Sequence, residues 1–212
     1  MSLINNIGSL VGMFTQPDQN EESKQLATRA GVDTKDFGRV ASVGLPLLLQ
    51  AINRNNQSTN GLESFNQALN QHQTKNNYDS LNQFAQHVDT DDGDKIVSHI
   101  LQDKQQTVNT GLADRLGVNP DTVKKVLAVL APLAIKYLAD QKRENKLNPQ
   151  EVQKETEAAT REATTQFHAF SKENKKDYGV IGDLLGLGDH TNETTENEKD
   201  HGLLGGILDI FK

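Results

Sequence analysis

Cysteine and tryptophan are absent from the 212 residues, and aromatic side chains make up only 5% of them. Without cysteine there are no disulfides, no thiolate nucleophiles and no sulfur-ligated zinc. Hydrophobic residues reach only 34%, so a modest core built mainly from Leu, Ile and Val is expected, surrounded by polar segments rich in Asn, Gln, Thr, Asp and Glu. No stretch approaches the roughly 20 continuous apolar residues that a membrane-spanning helix requires. The opening MSLINNIGSLVGMF has no Lys or Arg ahead of its apolar positions and is interrupted by Asn and Gly, which makes a poor secretion signal. A cytoplasmic location is the resulting expectation. The formal charge of −7 disfavours a nucleic-acid partner, because a phosphate backbone rewards concentrated positive charge.

What the chain does have is an internal similarity. LATRAGVDTKDFGRVASVGLPLLLQAINR, from Leu26, aligns without a gap on LADRLGVNPDTVKKVLAVLAPLAIKYLAD, from Leu112, with nine of 29 positions identical. The displacement of 86 residues carries the turn, the apolar spacing and the interior proline together. Two similar helix-turn-helix units are therefore expected. In each, a helix ends near Gly31 or Gly117, where glycine accepts the left-handed conformation. Asp33 or Asn119 then caps the next helix, and Pro120 sits where its missing N–H costs nothing. The following helices carry Phe37, Val40, Val43, Leu47 and Ala51, or Val123, Val126, Leu127, Leu130, Leu133 and Leu138, at steps of three and four. Pro46 and Pro132 interrupt them at matching points and are expected to bend or restart the helix.

Between the units, Leu62, Phe65 and Leu69, and then Tyr78, Leu81, Phe84, Ala85 and Val88, keep helical spacing. Asp89 to Asp94 reads as an acidic turn with a helix-capping role, and Ile96, Val97, Ile100 and Leu101 resume the apolar pattern. Asn148, Pro149 and Glu151 announce a further helix with a capping box, running to about Phe170. Its apolar line of Val152, Ala159, Ala163, Phe167 and Phe170 is thin. No stretch alternates as a strand does. The tail contains GVIGDLLGLG and GLLGGILDIF, joined by DHTNETTENEKD, and the joining segment is expected to be disordered. With Leu3, Ile4, Ile7, Leu10, Val11 and Phe14 near the start, the apolar pieces are candidate docking segments.

The search for chemistry yields little. Counted from Asp89, glycine falls fifth and Ile100 twelfth, which fails the calcium-loop requirement of glycine sixth and an acid twelfth. His87 and His99 flank the acidic stretch without one-face helical spacing. The other histidines, His72, His168, His190 and His201, join no ligand pattern. There is no phosphate cradle and no nucleophile elbow. No catalytic, metal-binding or cofactor-binding residue is assigned and no cofactor is called for; an active site assembled only in three dimensions is the enzymatic alternative. Leu112 to Leu127 has the outline of a DNA-binding helix-turn-helix, with Lys124 and Lys125 as the alternative DNA contacts. Its second helix continues as AVLAPLAIKYLA, which looks built for burial.

The paired Leu-Gly-Val turn, the Leu-Pro-Leu or Ala-Pro-Leu helix, GLESFNQALNQH and DDGDKIVSHIL together resemble the bacterial YidB-like family, over roughly Leu3 to Asp140. In that family the segment after the acidic turn commonly reads Gly-Gly-Lys-Ile-Leu-Gly-His-Leu-Leu-Gly. Lys95, Ile96 and His99 match, whereas Asp94 and Ser98 stand where glycines are expected. The resemblance implies a compact all-helical domain and brings no activity, cofactor or site residue.

The resulting expectation is an all-α protein: an irregular helical bundle with two similar helix-turn-helix units, a helical extension and a partly disordered C-terminal tail. Its organisation reads as an amphipathic segment over 1–20, the YidB-like domain over 21–145, the extension over 146–177 and the Gly/Leu-rich tail over 178–212. Function reads as a non-enzymatic scaffold or protein-interaction module, contacting an unknown protein or another copy through Leu184, Leu185, Leu187, Leu203, Leu204, Ile207, Leu208, Ile210 and Phe211. Gly31, Pro46, Gly117, Pro120 and Pro132 are assigned to structural turns and kinks.

Overall fold

In the computed structural model, which describes residues 6–75, 78 and 80–173, two glycines with positive φ set the positions of the two long central helices. Gly31 (φ 67°, ψ 40°) ends α2 (Glu21–Ala30), and Gly117 (φ 64°, ψ 37°) ends α7 (Gln105–Leu116). At both, the next residue reaches back into the helix: Val32 N–H donates to Ala27 C=O and Val118 N–H to Ala113 C=O, each at 3.1 Å. These bonds satisfy carbonyls that the helix ends would otherwise leave without partners.

Each turn is followed at once by a capped start. The Asp33 carboxylate accepts from the backbone N–H groups of Lys35 and Asp36 to begin α3 (Thr34–Asn55). The Asn119 side chain accepts from Asp121 N–H to begin α8 (Pro120–Asn145), with Pro120 in the first turn. Both helices are largely buried and they pack on each other. Neither Pro46 nor Pro132 restarts its helix; each lies within one continuous helical span. Burial on every side holds the helices together where an isolated helix would break.

The remaining helices surround this pair: α1 (Ile7–Thr15), α4 (Thr59–Lys75), α5 (Leu81–His87), α6 (Thr90–Leu101) and α9 (Pro149–Glu173). Among the described residues there is no strand. Asp89 to Asp94 is not a turn. Asp89 alone is the cap, accepting from Asp91 and Asp92 N–H, and the residues after it form the first turns of α6. Acidic side chains suit that position because the helix N-terminus carries partial positive charge.

α6 also shows why Pro132 and Gly93 belong together. Proline at 132 has no N–H to offer the Ala128 carbonyl four residues earlier. A Cβ at Gly93 would fall 1.8 Å from that carbonyl oxygen. Only a residue without a side chain lets the backbone of α6 come this close to α8, in the manner of a Cα–H···O contact between helices.

The thin apolar line of α9 packs inward from Val152 to Phe167. Val152, Ala159, Ala163 and Phe167 are buried, and the helix packs on α1, α3, α4 and α8. Its start is the expected reciprocal capping box, with Asn148 N–H donating to the Glu151 carboxylate at 2.8 Å and Glu151 N–H to the Asn148 side chain at 3.0 Å. Ile7, Leu10, Val11 and Phe14 of α1 are buried in the same core. Those four residues dock on the protein's own bundle, where Phe14 meets Phe37 edge to face with ring centroids 5.6 Å apart.

Candidate ligand-binding cleft

The C-terminal end of α3, α4 from Asn60 to His72 and one face of α6 border a cleft of about 660 Å³, within the range typical of small-molecule sites. Its apolar surface comes from Ile52, Phe65, Ala68, Ile96, Ile100 and Ile135. Helical spacing explains the supply: Phe65 and Ala68 share one face of α4, and Ile96 and Ile100 one face of α6. A bond from the Asn55 side-chain amide to Ile100 C=O, 3.0 Å, ties α3 to α6 across the cleft.

The polar lining is one-sided in charge. Arg54, Lys95, His72 and His99 border the cleft, together with Asn55, Asn56, Ser58, Asn60, Ser64 and Gln102, and among the described residues no carboxylate lines it. In a chain of formal charge −7 this is a local inversion of sign. Two further features mark the site. Asn56 is 2% exposed, yet neither its side-chain nitrogen nor its side-chain oxygen has a hydrogen-bond partner. A buried carboxamide without partners costs about 1–3 kcal/mol. Gln102, just beyond α6, has φ 53° and ψ −129°, a conformation costly for any residue with a side chain.

Other residues singled out by sequence lie elsewhere. His87 is exposed and its ring nitrogen Nδ1 contacts Gln83 C=O, while His72 and His99 line the cleft. Among the described residues no group of three His, Asp or Glu side chains is arranged to hold a metal ion. Lys124 is 2.9 Å from the Asp94 carboxylate and Lys125 2.7 Å from that of Asp121. The bond and charge of Asp94 raise the pKa of Lys124 above its ordinary value. The apolar residues from Leu184 to Phe211, His190 and His201 fall outside the described residues.

Sequence reasoning missed Asn56 and Gln102. A sequence pattern signals neither the burial of the first nor the positive φ of the second, since both arise where three helices meet.

A model of the family described as "Bacterial protein of unknown function (DUF937)" matches residues 13–141. The chain belongs to this family. DUF937 thus accounts for the resemblance to YidB-like proteins, and its match runs from within α1 into α8 and contains every cleft residue. α9 lies beyond the DUF937 match. No curated protein and no solved structure matches the chain significantly. Among the described residues no helix is long and apolar enough to cross a membrane.

Proposed function

We propose that this DUF937 protein is a non-enzymatic interaction module, working in the cytoplasm, whose folded part is a receptor built around the α3–α4–α6 cleft. The observation that supports this reading is the cleft itself: about 660 Å³ between α3, α4 and α6, with apolar walls from Ile52, Phe65, Ala68, Ile96 and Ile100 and polar groups at its border. A site of that size and mixed lining suits a small-molecule or peptide partner.

In this reading the α2–α3 and α7–α8 turns are two copies of one helix-turn-helix unit, used for packing and not for reading DNA. The engagement of Lys124 and Lys125 with Asp94 and Asp121 supports that assignment. Residues 21–145 form the receptor domain, with 1–20 and 146–177 supporting it. Residues 178–212, through their Leu and Ile clusters, add scaffold contacts to a protein or to a second copy.

The test is native mass spectrometry of the full chain purified from its own host, beside Ala68→Trp, which fills the cleft from α4. A bound species on the wild type that is missing from the folded variant is the expected result. Bare wild-type protein, under conditions that preserve non-covalent complexes, overturns the receptor reading. A chain ending at Asp177, taken through the same measurement, reports whether assembly depends on the tail.

A further inference from the structure

The apolar pattern of α1 recurs in the tail. Ile or Leu, then Gly, any residue, Ile or Leu, and Leu or Val occurs in that order from Ile7, from Ile181 and from Leu204, and nowhere else in the chain. The first occurrence opens α1, and the other two lie outside the described residues. From Leu204 the match continues to Phe211, which stands where Phe14 ends the stretch in α1; the middle occurrence has Gly188 at that place. We infer that Leu204–Phe211 is a second occupant of the seat that α1 fills on α3 and α9. Two segments of one chain then exchange in one site, and the segment left out offers its apolar face to a partner.

The seat makes a demand at each position. Ile7, Val11 and Phe14 are 0% exposed and Leu10 is 3% exposed; Leu204, Leu208, Phe211 and Ile207 are the apolar residues at the same four places. Phe14 meets Phe37 of α3 edge to face, and an aromatic ring at Phe211 repeats that contact. A Cβ on Gly8 would fall 2.8 Å from Gln166 Cγ and 3.0 Å from a carboxylate oxygen of Glu162, so a larger residue there would press on α9. Gly205 is the equivalent residue. Among the described residues nothing lies within 4 Å of a Cβ at Gly12, and there the tail carries Asp209. The two segments agree at the buried positions and differ in polarity at the exposed ones, as two occupants of one amphipathic seat must.

The chain's connections set the balance between them. The tail issues from α9, which is itself one wall of the seat. Residues 174–203 lie between α9 and Leu204, and only residues 16–20 lie between α1 and α2. Loop-closure weight falls as the three-halves power of length, which disfavours the tail segment by about fifteenfold. The tail also lacks a cap: the Asn6 side chain accepts from Ser9 N–H at 2.9 Å, and Leu203 stands at the equivalent place. α1 is therefore the resident and Leu204–Phe211 the minor occupant, a population that rises when α1 is weakened or held by a partner. Neither α1 nor α9 lines the α3–α4–α6 cleft, so the exchange and the receptor reading stand or fall separately.

No cysteine occurs in the chain, so an introduced pair reports a single contact. In the full chain, under a glutathione redox buffer, Gln166→Cys with Gly205→Cys brings two thiols together where Gly8 meets α9. Gln166→Cys with Asp209→Cys moves the second thiol to the face that points away from the bundle. The pair at 205 should link within one chain at least about tenfold faster than the pair at 209, because a disulfide demands close Cβ atoms. Equal rates overturn the shared seat, and a link that forms only between chains overturns occupancy by the chain's own tail. Urea unfolding of Phe14→Ala, Phe211→Ala and the double variant, all as full chains, is the second measurement. Phe211→Ala alone should leave the midpoint unchanged, since α1 holds the seat. In the Phe14→Ala background it should lower the midpoint, since Phe211 is then the ring that fills the seat. Strict additivity of the two substitutions overturns the exchange. Should Phe14→Ala fail to fold, the cysteine pairs in the otherwise unaltered chain decide alone.

Discussion

The C-terminal ends of α3 and α8 handle buried polarity in opposite ways. Eighty-six residues separate Gln50 from Lys136, Arg54 from Asp140 and Asn56 from Lys142, the same displacement that relates the two glycine turns. At the end of α8 the polar groups satisfy one another. Lys136 Nζ sits 2.6 Å from both oxygens of Asp140, with the two residues 4% and 1% exposed, and Arg143 adds a third contact at 3.0 Å. Lys142 completes the closure by bonding the side chains of Asn66 and Asn70 on α4. At the end of α3, Asn56 is just as buried and its side chain is paired with nothing. One end is closed by charges that satisfy one another, and the other keeps a buried amide without a partner.

Breaking the closed end should have the largest effect. Asp140→Ala leaves the Lys136 ammonium buried without its partner, and a loss of about 3–5 kcal/mol is expected. Replacing both groups, Lys136→Met with Asp140→Leu, should restore most of it, because neither charge is then left uncompensated. Urea unfolding of the three chains checks this. A small loss in the single variant would mean that water reaches Lys136 and that the two ends do not differ as described.

The contrast also marks where sequence reading succeeds. The turns at Gly31 and Gly117, the caps at Asp33 and Asn119 and the Asn148–Glu151 box were legible, because each depends on residues within a few positions of one another. Lys136 and Asp140 are spaced like an ordinary exposed ion pair on a helix surface, and only the packing of neighbouring helices buries them. Gly93 gave no local reason to be glycine; the reason is the Ala128 carbonyl on another helix. The acidic run at Asp89 to Asp94 signals its helix cap correctly at Asp89 but not that the helix starts as early as Thr90, since Asp and Gly are as common in turns as acids are in the first turn of a helix. The cleft was the least legible feature of all, because its walls come from α3, α4, α6 and α8.

Asn56→Leu sharpens the comparison from the open side. Losing a buried amide that pairs with nothing removes its desolvation cost, while the larger Leu side chain adds packing strain, so the net change should stay within about 1 kcal/mol in either direction. The measurement is the urea midpoint of the variant against the wild type, both stripped of bound species. A loss of 1 kcal/mol or more would show that the amide has a partner within the protein, making the end of α3 as closed as that of α8.

The smallest effect concerns Lys142, eighty-six residues after Asn56. Burial lowers its pKa below the ordinary 10.5. In the window between the lowered folded value and 10.5, the unfolded chain holds more protons than the native one, so this residue makes stability rise with pH. Tyr137, one turn earlier, has the opposite sign. Burial, and after it the charge of Glu155, raises its pKa above 10.0, so its contribution falls as pH rises past that value. The two are separated by comparing the wild type with Lys142→Met from about pH 8 to about pH 10, since Tyr137 is common to both proteins and its contribution cancels in the difference. The stability difference, wild type minus variant, should grow with pH across that interval. A flat difference would mean that the ammonium of Lys142 is as well hydrated as in the unfolded chain, and its bonds to Asn66 and Asn70 would then be surface contacts and no part of a closed end.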